Sequence, residues 1–214
     1  MKVIDLGTKH GPSVIHFIRK VNTFFPSYEQ TITPSECVGV DVNEKFRRDI
    51  AGQEICFMCG DITDATFRDT LPETDFFLVC NLLHHLPNRQ VVEEVIGYVL
   101  DTAKCGVWFR VKSFEIDSDS GEGILLFHGL RFSWSTNSTA YTCADFFKFI
   151  RNRCSKSASR FEAAKRIRHT SDKRVVPEDI VSSSFYYEPA MGDKEQVALT
   201  KPVVCDWDIF VEKG

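Results

Sequence analysis

Short apolar runs alternate with amphipathic stretches along the first half of this chain. Five runs are predicted to be strands, at 3–6, 37–40, 55–58, 76–80 and 107–111, and the first two are predicted to be buried. Helical spacing of apolar residues predicts helices over 12–25 and 89–103, and Asn43 is placed to cap a third helix over 44–50. Strands that alternate with helices form right-handed βαβ units, which build a parallel sheet covered on both faces. The chain is therefore predicted to be an α/β protein.

The first strand runs directly into a glycine-containing turn, Asp5-Leu6-Gly7-Thr8-Lys9-His10-Gly11. Glycine adopts backbone angles that are costly for other residues, and Pro12 suits the first position of a helix. Such a turn brings backbone N–H groups and a helix N-terminus close to a ligand, where negative groups are favoured. The dinucleotide fingerprint has three glycines, and Lys9 occupies the middle position. An ordinary strand-to-helix turn is the alternative interpretation.

Unusual polar residues follow the predicted strands. Asp41, Asp61, Asn81 and Lys112 each stand at or just after the end of an apolar run, as the 7–11 turn does. In parallel sheets, ligands bind outside the carboxyl ends of the strands, near the point where the strand order reverses. The shared position of these residues therefore predicts a single ligand site at that edge of the sheet.

Composition and cysteine spacing narrow the class of protein. The 214 residues are 43% hydrophobic and 26% charged, which is typical of one soluble domain, and the net charge of -4 gives no overall reason to expect nucleic acid. No apolar run is long enough to span a membrane, and no signal peptide precedes the first strand.

Cys56, Cys80 and Cys205 lie in apolar runs and are expected to act as small hydrophobes. Residues three apart in a strand point to opposite faces, so the Cys56/Cys59 pair is not expected to bind metal. Reduced thiols favour an intracellular, cytoplasmic location.

The second half of the chain has a different pattern. Residues 115–123 are predicted to form an acidic loop, and 142–145 resemble a capping box that opens a helix through Ile150. Two last strands are predicted around 184–187 and 203–211, with a turn at 188–193 between them. A closing antiparallel pair of strands is common on parallel sheets. We find no internal repeat and predict a single domain over 1–214.

A basic segment occupies residues 148–174. Its density of cations suits phosphate groups, so RNA is a candidate partner, with a solvated helical face as the alternative. The cations proposed to contact RNA are Lys148, Arg151, Arg153, Lys156, Arg160, Lys165, Arg166 and Arg168.

Residues 3–112 resemble the class I S-adenosylmethionine-dependent methyltransferases. Residues 5–11 resemble the glycine-rich first motif, 38–41 the second and 59–62 the third. The stretch 75–87 is close to the fourth motif in the branch that ends in His-His-Leu-Pro, and 106–111 fits the fifth strand. The resemblance implies a Rossmann-like, seven-stranded, mostly parallel sheet with a C-terminal antiparallel strand pair and helices on both faces. It also implies S-adenosyl-L-methionine as cofactor.

The resemblance assigns cofactor contacts residue by residue. It implies that Asp41 accepts hydrogen bonds from the ribose hydroxyls and that Asp61 meets the adenine amine. Asp5 would meet the ammonium of the ligand and the backbone near Gly7 its carboxylate, while Lys9 would either clash with that carboxylate or pair with it. The predicted cofactor-binding residues are Asp5, Gly7, Thr8, Lys9, Gly11, Asp41, Val42, Asp61, Ile62 and Asn81.

The same resemblance suggests the chemistry. Asn81 is the family position nearest the transferred methyl group, His84 and His85 are candidate bases, and Lys112 ends the fifth strand. Residues 1–112 are expected to bind the cofactor and 113–214 to face the substrate. The predicted function is in-line methyl transfer to a nitrogen or oxygen nucleophile, with RNA as a candidate acceptor. The alternatives are a small-molecule or protein methyltransferase, or a catalytically silent module. Family members usually have a helix upstream of the first strand that lies over the cofactor, whereas this sequence starts two residues before that strand. Either the site is more open than usual, or a partner chain or neighbouring domain covers it.

Overall fold

The computed structural model describes residues 1–28, 31–115, 123–125, 141–154, 158–167 and 203–214. The strands in these ranges are β1 (Val3–Leu6), β2 (Cys37–Asp41), β3 (Cys56–Cys59), β4 (Phe76–Cys80), β5 (Gly106–Glu115), β6 (Gly123–Leu125), β7 (Tyr141–Thr142), β8 (Ala158–Ile167) and β9 (Val203–Lys213). The α-helices are α1 (Pro12–Phe24), α2 (Arg47–Ala51), α3 (Ala65–Arg68), α4 (Arg89–Thr102) and α5 (Cys143–Cys154). Short 3₁₀ turns lie at Pro34–Glu36, Glu44–Phe46 and Leu83–His85.

The described strands form one mixed sheet. β1 lies between β2 and β4, β3 lies beyond β2, and β5 lies beyond β4; all of these pairs are parallel. β9 then pairs antiparallel with β5, and β8 pairs antiparallel with β9. The main order is therefore β3-β2-β1-β4-β5-β9-β8. The strand order reverses between β1 and β4, so the carboxyl ends of β1 and β4 flank the point where ligands bind in such sheets.

Apolar side chains alternate between the two faces of the sheet, and each face has its own helices. Val3, Phe76 and Trp108 point to the side of α1, where Phe17 and Phe25 complete an aromatic cluster. Neighbouring strand residues point to the other side, where α4 and α5 cover them with Val95, Ile96 and Ile150 among others. Burial on both faces explains why the central strands are almost wholly apolar.

The predicted architecture is confirmed, namely a Rossmann-like, mostly parallel core sheet that ends in an antiparallel pair, with helices on both faces. Two features were not predicted. β6 and β7 extend the sheet beyond the end of β4, where β6 pairs with residues 113–115 of β5. The strand that pairs with β9 is β8, whereas the predicted partner at 184–187 lies outside the described residues.

The prediction that Cys56 is a buried hydrophobe is wrong. β3 pairs only with β2, so it forms an edge of the described sheet, and both Cys56 and Cys59 are exposed. Cys80 is buried as expected, and the side chain of Cys205 lies outside the described residues. Among the described helices, none is both long and apolar enough to cross a membrane.

Candidate functional site

The turn between β1 and α1 has left-handed backbone at three alternate residues. The φ angles are 71° at Gly7, 48° at Lys9 and 77° at Gly11. The N–H groups of Gly7 and Thr8 both donate to the carbonyl of Val40, at 2.8 and 3.1 Å, which fixes the turn to β2. Left-handed angles have little cost for glycine but cost other residues about 1–2 kcal/mol, so Lys9 is the strained member of the turn.

Asp41, the last residue of β2, joins that turn to the next one. Its Oδ2 accepts a hydrogen bond from the backbone N–H of Lys9 at 3.2 Å, and its Oδ1 accepts one from the N–H of Asn43 at 2.9 Å. The side chain is only 9% exposed. Each carboxylate oxygen has two lone pairs, so both oxygens retain the capacity to accept a second donor. Val42, which follows, is 66% exposed and is the one large hydrophobic side chain found exposed among the described residues.

Asp5 is a buried carboxyl group in β1. Its side chain is 1% exposed, and Oδ2 has no hydrogen-bond partner among the described residues. Burial raises the pKa of Asp5 from 3.8 to about 7; the nearby Thr8 hydroxyl acts in the opposite sense, and the negative charge of Asp41 adds to the increase. A cation bound beside this carboxyl group would favour its ionised form.

Two more buried polar atoms at this edge lack partners. Within the described residues, the hydroxyl oxygen of Thr8 and Oδ1 of Asn81 make no hydrogen bond. Asn81 follows β4 with a left-handed φ of 57°, and its N–H donates to the carbonyl of Arg110 at 2.8 Å. Buried polar atoms are nearly always paired, and Asp5, Thr8 and Asn81 lie at the carboxyl ends of the adjacent strands β1 and β4. Their clustering marks a place built for a polar ligand.

The third predicted strand-end motif lies in the turn after β3. Asp61 is exposed, and its Oδ1 accepts hydrogen bonds from the N–H and the hydroxyl of Thr63, at 2.9 and 2.8 Å. Its other oxygen is not used in this turn. The side chain of Ile62 is buried in the core on the α4 side, so residue 62 can reach a ligand only through its backbone.

For the other catalytic candidates, His84, His85 and Lys112, the structure describes the backbone but only one of the three side chains. His84 and His85 lie in the 3₁₀ turn Leu83–His85, and the His85 side chain is exposed. The prediction that Lys112 ends the fifth strand is wrong: β5 continues to Glu115 because β9 pairs with it throughout, and Lys112 lies within it opposite Asp206. The side chains of His84 and Lys112 are outside the described residues. Of the four candidates, Asn81 is therefore the one whose side chain is seen to belong to the cluster at the strand ends.

Sequence reasoning missed an ion pair between the middle of β5 and β9. Arg110 donates from Nε to Oδ1 of Asp208 at 2.7 Å and from Nη2 to Oδ2 at 3.0 Å, while the indole N–H of Trp108 donates to the same Oδ1 at 2.9 Å. The side chains of Arg110 and Asp208 are 18% and 10% exposed. The pair joins β5 to β9 beside Asn81. The only signal in the sequence was a charged residue within each of two apolar runs.

The basic segment does not form one helical face. Lys148, Arg151 and Arg153 lie on α5, Arg160 lies on β8, and Lys165 and Arg166 are also on β8 with side chains outside the described residues. Lys156 and Arg168 fall outside the described residues altogether. Arg153 pairs with Asp101, Arg160 pairs with Glu162, and the Arg151 guanidinium lies 4.7 Å from the centroid of the Phe161 ring. Lys148 is exposed.

Within the described part of the chain, no group of three or more His, Cys, Asp or Glu side chains is arranged to hold a metal ion. The fit to a nucleoside cofactor is better. The exposed Val42 offers apolar surface, and Asp5, Asp41 and Asp61 offer acceptors to ammonium, hydroxyl and amine donors.

No protein-family model and no curated protein matches this sequence. Solved structures do match its fold. An arsenic(III) S-adenosylmethionine methyltransferase from Chlamydomonas reinhardtii aligns with a TM-score of 0.55 at 13% identity, over 100% of this chain and 64% of the algal one. A presumed methyltransferase from Bacillus halodurans C-125 aligns with a TM-score of 0.51 at 14% identity, over 99% of this chain and 92% of the other. The chain therefore has the Rossmann-like fold of the class I S-adenosylmethionine-dependent methyltransferases.

Proposed function

We propose that this protein binds S-adenosyl-L-methionine at the carboxyl edge of its sheet and transfers the methyl group to a nitrogen or oxygen nucleophile. The observation on which this rests is the cluster of buried polar atoms on Asp5, Thr8 and Asn81 that have no partner among the described residues, next to the N-terminus of α1. Leaving such atoms unpaired is costly, and a ligand with an ammonium group and hydroxyl groups would supply the missing donors.

Four residues would hold the cofactor. Asp5 would accept from its ammonium group, and the spare lone pairs of Asp41 would accept from the two ribose hydroxyls. The unused oxygen of Asp61 would accept from the adenine amine, and the exposed Val42 would pack against the adenine ring. These groups follow the order β1, β2 and β3 across the sheet, as a nucleoside with an amino-acid arm requires.

The bound cofactor supplies an electrophilic methyl group on a sulfonium. The task of the protein is to align the nucleophile, which accelerates a displacement by fixing its geometry. Asn81 is suited to this role, because Oδ1, which makes no hydrogen bond among the described residues, can accept one from an amine or hydroxyl, while the hydrogen bond from its N–H to the carbonyl of Arg110 fixes its strained backbone. His84 and His85 remain the candidate bases, and Lys112 remains a candidate for the acceptor side of the site.

Two measurements test this proposal. Calorimetry with S-adenosylmethionine and S-adenosylhomocysteine tests binding, and we expect both to bind. Transfer of tritium from labelled cofactor into a cell extract, followed by nuclease or protease digestion, identifies the acceptor class. Absence of binding would overturn the proposal. Binding without transfer to any fraction would favour the catalytically silent module that acts with a partner chain.

The class of acceptor is a further part of the proposal. We assign residues 1–112 to the cofactor and 113–214 to the acceptor, with RNA as the candidate that the basic segment favours. Arg153 and Arg160 form ion pairs with acidic residues of this chain, which reduces the number of cations available to phosphate. We therefore retain a small-molecule or protein acceptor as the second candidate.

Filter binding to a generic RNA across a salt series distinguishes these acceptors. An RNA enzyme should bind at low salt and lose affinity steeply as salt rises, and replacing Lys148 and Arg151 with alanine should reduce that slope. No affinity at low salt would remove RNA as a candidate and leave the second class.

A further inference from the structure

Lys9 occupies an unusual position in the turn after β1. Its backbone is left-handed at φ 48°, between two glycines that adopt the same region without strain. Its N–H is bound to Asp41, and its side chain is exposed. A lysine at such a position carries backbone strain that a glycine would not.

Carboxylates lie near Lys9, but among the described residues none pairs with its ammonium group. Helix α1 begins two residues after the neighbouring His10, and its first turn has no acidic residue and no side-chain cap. The N-terminus of a helix is positive, so a lysine beside it is electrostatically unfavourable until an anion arrives. Among the described residues, the Lys9 ammonium makes no ion pair, and the nearby Asp49 is hydrogen-bonded to His10 at 2.6 Å.

The same turn contains the complementary charge. Asp5 is buried, and in the part of the chain that the structure describes neither its Oδ2 nor the hydroxyl of Thr8, between Asp5 and Lys9, has a hydrogen-bond partner. A carboxyl group at Asp5, which a bound ammonium group would favour in its ionised form, and a cation at Lys9 lie four residues apart on one turn and match the ammonium and carboxylate of an α-amino acid. The unpaired buried atoms are independent of the helix N-terminus and point to the same ligand.

We infer that Lys9 binds the α-carboxylate of the amino-acid arm of the cofactor and so makes this site selective for ligands that carry that arm. The inference rests on the proposed function, because it takes S-adenosylmethionine as the occupant. In this protein the Lys9 ammonium would contact the α-carboxylate. With a glycine at residue 9, only backbone N–H groups and the helix N-terminus would contact it.

The test compares two thioether nucleosides, both with an uncharged sulfur, that differ only in the amino-acid arm. S-adenosylhomocysteine has the arm and 5′-methylthioadenosine lacks it. Dissociation constants are measured by calorimetry, at several salt concentrations, for the wild-type protein and for Lys9→Met and Lys9→Arg. Lys2→Met, at an exposed lysine near the opposite edge of the sheet, is the matched control.

We expect Lys9→Met to weaken S-adenosylhomocysteine roughly tenfold, to leave 5′-methylthioadenosine unchanged and to reduce the salt dependence of binding, because one charge-assisted contact is lost. Lys9→Arg should retain most of the affinity, and Lys2→Met should change neither ligand.

The outcomes separate the two proposals. If neither nucleoside binds the wild-type protein, the proposed cofactor site is wrong. If both bind and Lys9→Met leaves their ratio unchanged, or weakens both equally, the role of Lys9 is overturned and the cofactor site stands. Lys9→Gly gives a second readout: it relieves the left-handed strain and should raise the melting temperature while it lowers the affinity for S-adenosylhomocysteine.

Discussion

A Cβ atom at Gly39 would lie 2.7 Å from Cγ2 of Thr8, so the first turn of the candidate site packs directly on the backbone of β2. Gly39 pairs in register with Asp5, which places the turn, the buried carboxyl and β2 in one layer. The absence of a side chain at residue 39 is therefore a requirement of the site as well as of the strand.

Substitution of Gly39 tests this contact. Gly39→Ala should lower the free energy of unfolding by about 1–3 kcal/mol, because the added methyl group overpacks a buried position. Thr8→Ala removes the clashing methyl, so the double variant should recover part of the loss. Urea unfolding of the two single variants and the double variant measures the coupling. Simple additivity of the two changes would contradict the contact.

Replacement of Asp41 by alanine should eliminate cofactor binding while the protein stays folded. The variant loses two hydrogen bonds to backbone N–H groups and should be about 2 kcal/mol less stable. Asp75→Ala is the matched control, because the Asp75 carboxylate accepts from the N–H of Lys2 at 2.7 Å at the opposite edge of the sheet. Calorimetry and circular dichroism check both variants. Unchanged affinity in Asp41→Ala would mean that the site is elsewhere.

The raised pKa of Asp5 predicts a pH-dependent stability. The folded protein holds this proton up to about pH 7, whereas the unfolded chain releases it near 3.8. The contribution of Asp5 to the free energy of unfolding is therefore greatest below about pH 4, falls as pH rises to about 7 and is constant above that. The pKa difference between the folded and unfolded states corresponds to a change of about 4 kcal/mol in the free energy of unfolding.

Asp5→Asn isolates this effect, because the other carboxylates cancel in the comparison. Relative to wild type, the variant should become more stable as pH rises from 4 to 7, and the gain should then level off. Urea unfolding of both proteins at each pH measures the difference. A difference that does not change with pH would show that Asp5 is ionised normally in the folded protein.

Loss of the Arg110–Asp208 pair should be strongly destabilising. Asp208→Ala leaves a largely buried guanidinium and the Trp108 indole N–H without their acceptor, at a cost of about 3–5 kcal/mol. The double variant Arg110→Met with Asp208→Leu should recover much of the lost stability, because it no longer contains the Arg110 guanidinium without its Asp208 carboxylate. Thermal unfolding compares the variants. Glu73→Ala, which breaks an exposed pair with Lys104, is the control and should change little.

Local sequence patterns were sufficient to predict the parallel half of the fold. Apolar runs, glycine turns and caps such as Asn43 are properties of a few adjacent residues, and β1, β2 and β4 lie where those patterns placed them. β8 could not be predicted in this way. Its sequence mixes charged residues with alanines, which also suit a helix, and it becomes a strand because β9, some forty residues later, provides its partner.

The candidate site, like the fold, has features that local sequence patterns predict and features that only tertiary contacts determine. The polar residues that follow β1, β2 and β4 were visible in the sequence because each interrupts an apolar run. That Thr8 and Asn81 have unpaired buried atoms depends on their neighbours in three dimensions. The pairing of Arg110 with Asp208 joins residues 98 positions apart, and no spacing rule connects them.

β9 has consequences for how the protein is made. It is an interior strand that joins β5 to β8, with ten residues in register with β5. During translation, β5 has no partner on that side until residues 203–213 have left the ribosome, so the nascent chain displays a long unpaired edge beside a buried Trp108. Because this pairing closes a loop of about one hundred residues, it is expected to be the slow step of folding and the one that most benefits from a chaperone.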